Sequence, residues 1–188
     1  MSTLRLLSLL FLLALLHCGT PQGQWVQTNG PVGGSIYSFA VSGTNLFAGT
    51  YRGVFRSTDN GASWTAANKG LTNADYVHAL AVSGTNLFAG TGTHSGGVYL
   101  STNNGASWAA ANSGLPNIGV FALAVSGANL FAGTYGRGVF RSTNNGASWT
   151  AVNTGLTDTD DVEALAVSGT NLFAGTSRGV FRSTDNGA

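Results

Sequence analysis

The string Ser57-Thr58-Asp59-Asn60-Gly61-Ala62-Ser63-Trp64 constrains this chain more than any other feature, because it recurs in step with everything around it. It returns as Ser101–Trp108 and Ser142–Trp149 and begins again at Ser183. A second string, Val-Ser-Gly-(Thr/Ala)-Asn-Leu-Phe-Ala-Gly-Thr, starts at Val41, Val82, Val125 and Val167, so the unit repeats every 41 to 43 residues. Trp25, Trp64, Trp108 and Trp149 keep the same step. Gly and β-branched residues are dense, and no amphipathic helical pattern of useful length follows the first 18 residues. A period in the low forties built from short strands suits a four-stranded blade stacked on its neighbours.

Within one unit the strands read off directly. Val77-His78-Ala79-Leu80-Ala81-Val82 is the apolar run expected of an innermost strand, a. Ser83-Gly84-Thr85-Asn86 is a turn; Leu87–Thr91 is strand b and Gly97–Ser101 strand c. Trp108-Ala109-Ala110 opens the outermost strand, d. In the turn before d, the Ser57 hydroxyl and the Asp59 carboxylate can bond the backbone, and Gly61 supplies a positive φ. Ser101, Asn103 and Gly105, then Ser142, Asn144 and Gly146, then Ser183, Asp185 and Gly187 take the same roles. Trp64, Trp108 and Trp149 are expected to bury their rings, so Trp64→Ala should cost several kcal/mol through the cavity it leaves. Glycines inside strand b signal close sheet approach. Val54 and Phe55, Val139 and Phe140, and Val180 and Phe181 should alternate between blade faces, with Leu46 and Phe47 filling the space between sheets.

The spacing Ser-x-Asp-x-Gly-x-Ser-Trp resembles the Asp-box (BNR) repeat of sialidase-like β-propellers. A looser resemblance is to the photosystem II stability/assembly factor group. The resemblance implies an all-β propeller of four-stranded antiparallel blades. About four blades are present: a lone strand d at 25–27, then four a–b–c units ending inside the last Asp-box at Asp185-Asn186-Gly187-Ala188. This register reads as part of a larger propeller. The other reading is that Trp25 supplies the last blade with its missing strand d.

Residues 1–18 differ from all that follows. Arg5 precedes the apolar run Leu6–Leu16, too short to span a bilayer, which needs about 20 apolar residues. It reads as a secretory signal peptide, with the propeller repeats occupying 19–188. Leu15-Leu16-His17-Cys18-Gly19 resembles a lipobox, which makes Cys18 a lipidation candidate, though His17 departs from the pattern. Cys18 is the sole cysteine, so no intrachain disulfide and no cysteine-built metal site can form. Only 8% of residues are charged and the net charge is +1. Nucleic acid and anionic membranes need clustered Lys and Arg, so neither is an expected partner. A lipid anchor would be the one tie to a membrane.

In an antiparallel blade the a–b and c–d turns share one end and the b–c and d–a loops the other. The first end is nearly identical from repeat to repeat, which suits scaffold; the second varies, which suits binding. Its candidates are Tyr51, Arg52, His94, Tyr135, Arg137 and Arg178 on the b–c loops, and Tyr37, His78, Phe121 and Glu163 at the start of strand a. The d–a loops add Asp75-Tyr76, Pro116-Asn117 and Asp158-Thr159-Asp160-Asp161.

Asp59 and Asp185 read as turn stabilisers and not as catalytic acids, since Asn103 and Asn144 replace them. The sialidase resemblance implies an arginine triad for a substrate carboxylate. Arg52, Arg137 and Arg178 could mimic it, yet each belongs to a repeated Arg-Gly-Val-Phe-Arg element. Arg56, Arg141 and Arg182 read as surface partners of strand d or water. Glu163, Tyr37 and Asp75 could be assembled into a retaining hydrolase site only if the fold converges them. The acidic run at 158–161 lacks the ordered spacing of an EF-hand loop. Gly136-Arg137-Gly138 has no helix after it, so it is no dinucleotide loop. No metal and no cofactor are expected.

The reading that fits best is an exported, non-catalytic propeller that presents one face to a protein or glycan. The alternatives are part of a sialidase-type glycoside hydrolase and a structural repeat array within a surface protein.

Overall fold

A computed structural model describes residues 25–31, 34–72, 76–156 and 161–187. Residues 1–18, the segment expected to be a signal peptide, with the lipidation candidate Cys18, and also Asp75, Asp158 and Asp160 lie outside the described residues.

Blade 1 is formed by β1 (Ile36–Ser42), β2 (Asn45–Thr50), β3 (Gly53–Ser57) and β4 (Thr65–Ala66). Blade 2 is formed by β5 (Val77–Ser83), β6 (Asn86–Gly92), β7 (Gly96–Ser101) and β8 (Ala109–Ala110). Blade 3 has β9 (Val120–Ser126), β10 (Asn129–Thr134), β11 (Gly138–Ser142) and β12 (Thr150–Ala151). Blade 4 has β13 (Val162–Ser168), β14 (Asn171–Thr176) and β15 (Gly179–Ser183), three strands among the described residues. Blades 1 to 3 run a–b–c–d in space as in sequence and blade 4 runs a–b–c, with antiparallel ladders. Strands a to c match the expected runs within a residue. Strand d is shorter than a normal strand and starts after the tryptophan.

The turns explain the register. Ser42 pairs with Asn45 across a two-residue loop that begins with Gly43 at φ 60°. That glycine-first loop twists with the strands it joins. The Asp-box turn is closed by side chains. Ser57 Oγ donates to Asp59 Oδ1 at 2.7 Å, and the Gly61 N–H donates to Ser57 Oγ at 2.8 Å. Asp59 then accepts the Ser63 N–H at 2.9 Å and the Ser63 hydroxyl at 2.5 Å. Asn103 repeats this, accepting the Ser107 N–H at 2.9 Å and donating to Ser107 Oγ at 2.7 Å. Asn60, Asn104, Asn145 and Asn186 sit at φ 55–59°, just ahead of the box glycine. The turn thus needs two left-handed residues, and Asn tolerates that region better than other side chains. The spacing alone points only to the glycine.

These bonds hold the exposed Asp59 carboxyl below its ordinary value of 3.8, to about 2, the Ser63 hydroxyl contributing most. The folded state therefore favours the ionised form. The stability it contributes is present above pH 3.8 and is lost as pH falls through about 2. Asp59→Asn, which copies the natural Asn103 turn, should show a flatter loss of unfolding free energy between pH 4 and pH 2 than the parent. Parallel losses in urea melts at the two pH values would show that this carboxylate contributes nothing.

The core is three slabs between blades, not one centre. Phe47 and Val54 of blade 1 pack on Val77, Leu80, Leu87, Tyr99 and Trp108 of blade 2. Phe88 and Val98 then meet Val120, Leu130, Phe140 and Trp149, and Phe131 and Val139 meet Val162 and Leu172. Alternation along strand b accounts for this: Leu87 and Ala89 face the preceding blade, Phe88 and Gly90 the following one. The first residue of strand a is the contact that needs most room. Val77, Val120 and Val162 are fully buried, each against the strand-b glycine of the blade before: Gly49, Gly90 and Gly133.

Polar ties run between blades as well. Trp108 Nε1 donates to the Ala67 carbonyl at 2.8 Å, and Trp149 Nε1 to that of Ala111 at 2.7 Å. Arg56 donates to the Asn104 carbonyl at 3.3 Å and Arg141 to that of Asn186 at 3.0 Å. Besides the backbone pairing of Arg56 and Arg141 with strand d, their guanidinium groups reach the Asp-box turn of the next blade. Asn68, Asn112 and Asn153 each accept a strand-c N–H at 2.7 Å, from Val54, Val98 and Val139. Their common place in the repeat was the signal for that role.

The two ends of the array differ from its interior. Residues 25–27 form no strand, and Trp25 is 100% exposed. The expected strand d is absent there because no strand c lies beside it. Trp64 is only partly buried, and its buried Nε1 has no partner among the described residues. Phe39 and Val41 of β1 and Val180 of β15 are exposed where their counterparts Leu80, Val82 and Val139 lie between blades.

Candidate functional site

Ring contacts gather at the end of the blades that carries the b–c and d–a loops. Tyr51 meets Tyr76 edge-on at 4.7 Å between centroids, and Tyr76 stacks on His78 at 5.7 Å with planes 12° apart. Tyr37 closes on His78 at 5.0 Å and on Tyr76 at 6.3 Å. The row continues from His78 to Phe121 at 4.9 Å, to Tyr135 at 5.9 Å and to His94 at 4.7 Å. These separations are those at which aromatic pairs attract.

The fold explains the gathering. Tyr37, His78 and Phe121 are the second residues of β1, β5 and β9, the innermost strands, which lie side by side. Tyr51, His94 and Tyr135 stand on the b–c loops beside them. The row thus crosses blades 1, 2 and 3. Tyr37, Tyr51 and Tyr135 keep 37–42% of their surface exposed, so the row is open to ligand.

Tyr76, which the sequence places on a d–a loop, joins the row. It sits at φ 61°, an unfavourable backbone for an aromatic residue. Its N–H donates to the Tyr51 carbonyl at 3.2 Å and its own carbonyl accepts the Gly92 N–H at 3.0 Å, which holds the strained residue in place. Strain of this kind gathers at functional sites. A tyrosine just before a strand a was visible in the sequence, but its backbone conformation was not.

Electrostatically the row is quiet. Burial lowers the His78 pKa below its ordinary value, so the imidazole is neutral at pH 7. Its Nε2 is buried with no partner among the described residues. Arg52, Arg137 and Arg178 are exposed, one each on blades 1, 3 and 4. The carbonyls of Arg52 and Arg137 accept Asn68 Nδ2 at 3.3 Å and Asn153 Nδ2 at 2.9 Å. Those backbone roles account for the repetition of the loop. Glu163 is exposed on β13 in blade 4, beyond the last ring of the row. Asp59 and Asp185 lie in Asp-box turns at the opposite end, each bonded to its serine at 2.7 Å. Among the described residues no three His, Cys, Asp or Glu side chains group as metal ligands.

No protein-family model matches the sequence, and no curated protein does. Solved structures do match in shape. The chain is similar to the GH74 xyloglucanase from Xanthomonas campestris at 20% identity and a TM-score of 0.64, over 87% of this chain and 31% of that one. It is similar to the extracellular domain of BT4673 from B. thetaiotaomicron at 17% identity and 0.66, over 82% and 22%. It is also similar to YCF48 from Cyanidioschyzon merolae at 17% identity and 0.61, over 85% and 56%. The chain therefore spans less than a third of the first two and just over half of the third. With the four-residue-spaced turn bonds and the antiparallel sheets, these matches establish that the chain folds as an array of β-propeller blades.

Proposed function

We propose that this chain is an exported, non-catalytic propeller that binds a glycan along its aromatic row. The single observation that carries the reading is the row itself: seven contiguous rings, from Tyr51 to His94, on the face where the repeats differ. A pyranose has an apolar C–H face and hydroxyls at its rim. Exposed tyrosines suit both, stacking with the ring and bonding through the phenol. With His78 neutral, the rings themselves carry no charge, which suits stacking on the apolar face of a sugar.

Two neighbours add support. A xyloglucanase carries this fold, and so does an extracellular domain, in keeping with a leader-like segment at 1–18. The non-catalytic reading is supported by Asp59, which is committed to Ser57 and Ser63, and by Glu163, which stands on blade 4, apart from Tyr37 on blade 1.

The test is affinity electrophoresis in gels containing soluble xyloglucan, a β-glucan or a mannan, with reducing-end release assayed in parallel. At least one polysaccharide should retard the protein without being cleaved. Tyr37→Ala and Tyr135→Ala should each weaken retention about tenfold, the equivalent of roughly 1.4 kcal/mol for one lost stacked ring. Both residues are exposed, so the fold should survive. No retardation by any of the three would sink the glycan reading, and cleavage would restore the hydrolase.

A further inference from the structure

The three blade interfaces are built alike except at one position of the Asp-box end. Between blades 2 and 3 an open cleft of about 370 Å³ is lined by Leu100, Ala109, Ala111, Ser113, Asn145 and Gly146. A complete four-stranded blade stands on each side of it.

The flanking interfaces show what this place holds elsewhere in the molecule. Arg56 Nη1 donates to the Asn104 carbonyl at 3.3 Å between blades 1 and 2, and Arg141 Nη1 to the Asn186 carbonyl at 3.0 Å between blades 3 and 4. Asn104, Asn145 and Asn186 hold the same place in their boxes, with φ of 55–59° in all three. Leu100 is the counterpart of the two arginines. It pairs with Phe88 and Ala109 as Arg56 pairs with Phe47 and Thr65. Leucine has no donor, so the Asn145 carbonyl receives no guanidinium from its own repeat.

Two further differences fall at the same place. Ala109 stands where the other blades have Thr65 and Thr150, and Ser113 where blade 1 has Lys69. No residue lining the cleft is charged, so nothing in its wall repels an incoming cation. A carboxylate is not needed either. Arg56 bonds to a box built on Asn103, and the cleft faces one built on Asn144.

We propose that this cleft receives the guanidinium of an arginine on a partner polypeptide, which takes the Asn145 carbonyl as Arg56 and Arg141 take theirs. The side chain enters from solvent over Ala109 and Ala110, which are exposed, and lays its methylene stem along Leu100. Arginine suits a neutral carbonyl better than lysine does, because a guanidinium is more weakly hydrated than an ammonium. The cleft lies at the opposite end of the blades from the aromatic row, so the two sites do not compete.

The test is an NMR titration of the chain from Gly19 onward, which contains every described residue, with acetyl-arginine amide. Amide shifts centred on Ser113, Asn145 and Gly146 should saturate with a dissociation constant on the order of 10 mM, as expected for one small group. Acetyl-lysine amide and the uncharged acetyl-citrulline amide should each bind at least about threefold more weakly. Leu100→Arg should abolish the response, because its own guanidinium takes the Asn145 carbonyl. The double variant Arg56→Leu/Lys69→Ser copies Leu100 and Ser113 between blades 1 and 2, and should add a second response at Asn104 and Gly105. That gain keeps the test decisive if Leu100→Arg does not fold. No saturable shift at Asn145 and Gly146 overturns the proposal. A response that survives Leu100→Arg overturns it by placing the ligand elsewhere. Equal binding of either comparison amide, or a double variant without a second response, overturns it too.

Discussion

Trp108→Ala should lower the unfolding free energy by about 3–5 kcal/mol, the usual cost of truncating a buried large aromatic residue. The ring is 5% exposed and packs with Val54, Leu87, Ala89 and Tyr99, residues of two different blades. Its loss opens a cavity in the slab that joins those blades. The Ala67 carbonyl also loses the indole N–H. Trp64→Ala is the control. The same string delivers Trp64, but its ring is half-buried, contacts Phe39 at 6.2 Å at the open end, and has no acceptor among the described residues for Nε1. It should cost on the order of 1–2 kcal/mol, not the larger loss expected from the sequence. Guanidinium melts of the two variants would decide; equal losses would mean that the blade interface adds nothing to the turn.

Gly90→Ala should be nearly as damaging, although it adds one methyl group. The new Cβ would stand 2.8 Å from Val120 Cγ1 and 2.9 Å from the Val120 carbonyl oxygen. The valine methyl can rotate away, but the carbonyl belongs to β9 and moves only with blade 3. Overpacking of this kind costs about 1–3 kcal/mol. Gly90 has an ordinary backbone, so strain in φ is not the cause. The paired variant Gly175→Ala has open space, its nearest neighbour being the Ala164 Cβ at 3.4 Å. In dilute solution it should be neutral, or gain a few tenths of a kcal/mol by restricting the unfolded chain. Similar losses for both glycines would refute the account of the strand-b glycines as seats for the next blade's valine.

The turn chemistry was legible because it is local. Ser57, Asp59 and Gly61 bond one another within five residues, so their spacing carries their geometry. Strand order was legible for a similar reason: short connections leave neighbouring strands only one antiparallel arrangement. The inter-blade bonds of Arg56 and Arg141 were not legible because their acceptors lie more than 40 residues away on another blade. The aromatic row was half legible. The sequence placed Tyr37, His78 and Phe121 at equivalent positions and Tyr51, His94 and Tyr135 on the right loops. Nothing local could show that the rings touch, or that Tyr76 is bent in among them.

By itself, then, the sequence determined the repeat, the blade and the turns, since those depend on contacts that recur within one period. Tertiary structure alone decided which copies of a repeated residue are equivalent in fact. Trp64 and Trp108 share a string, and Gly90 and Gly175 share another, yet one of each pair meets a neighbouring blade and the other does not. The physical reason is that burial in a stacked array is supplied by the neighbour, and a residue's own repeat carries no record of whether that neighbour is there.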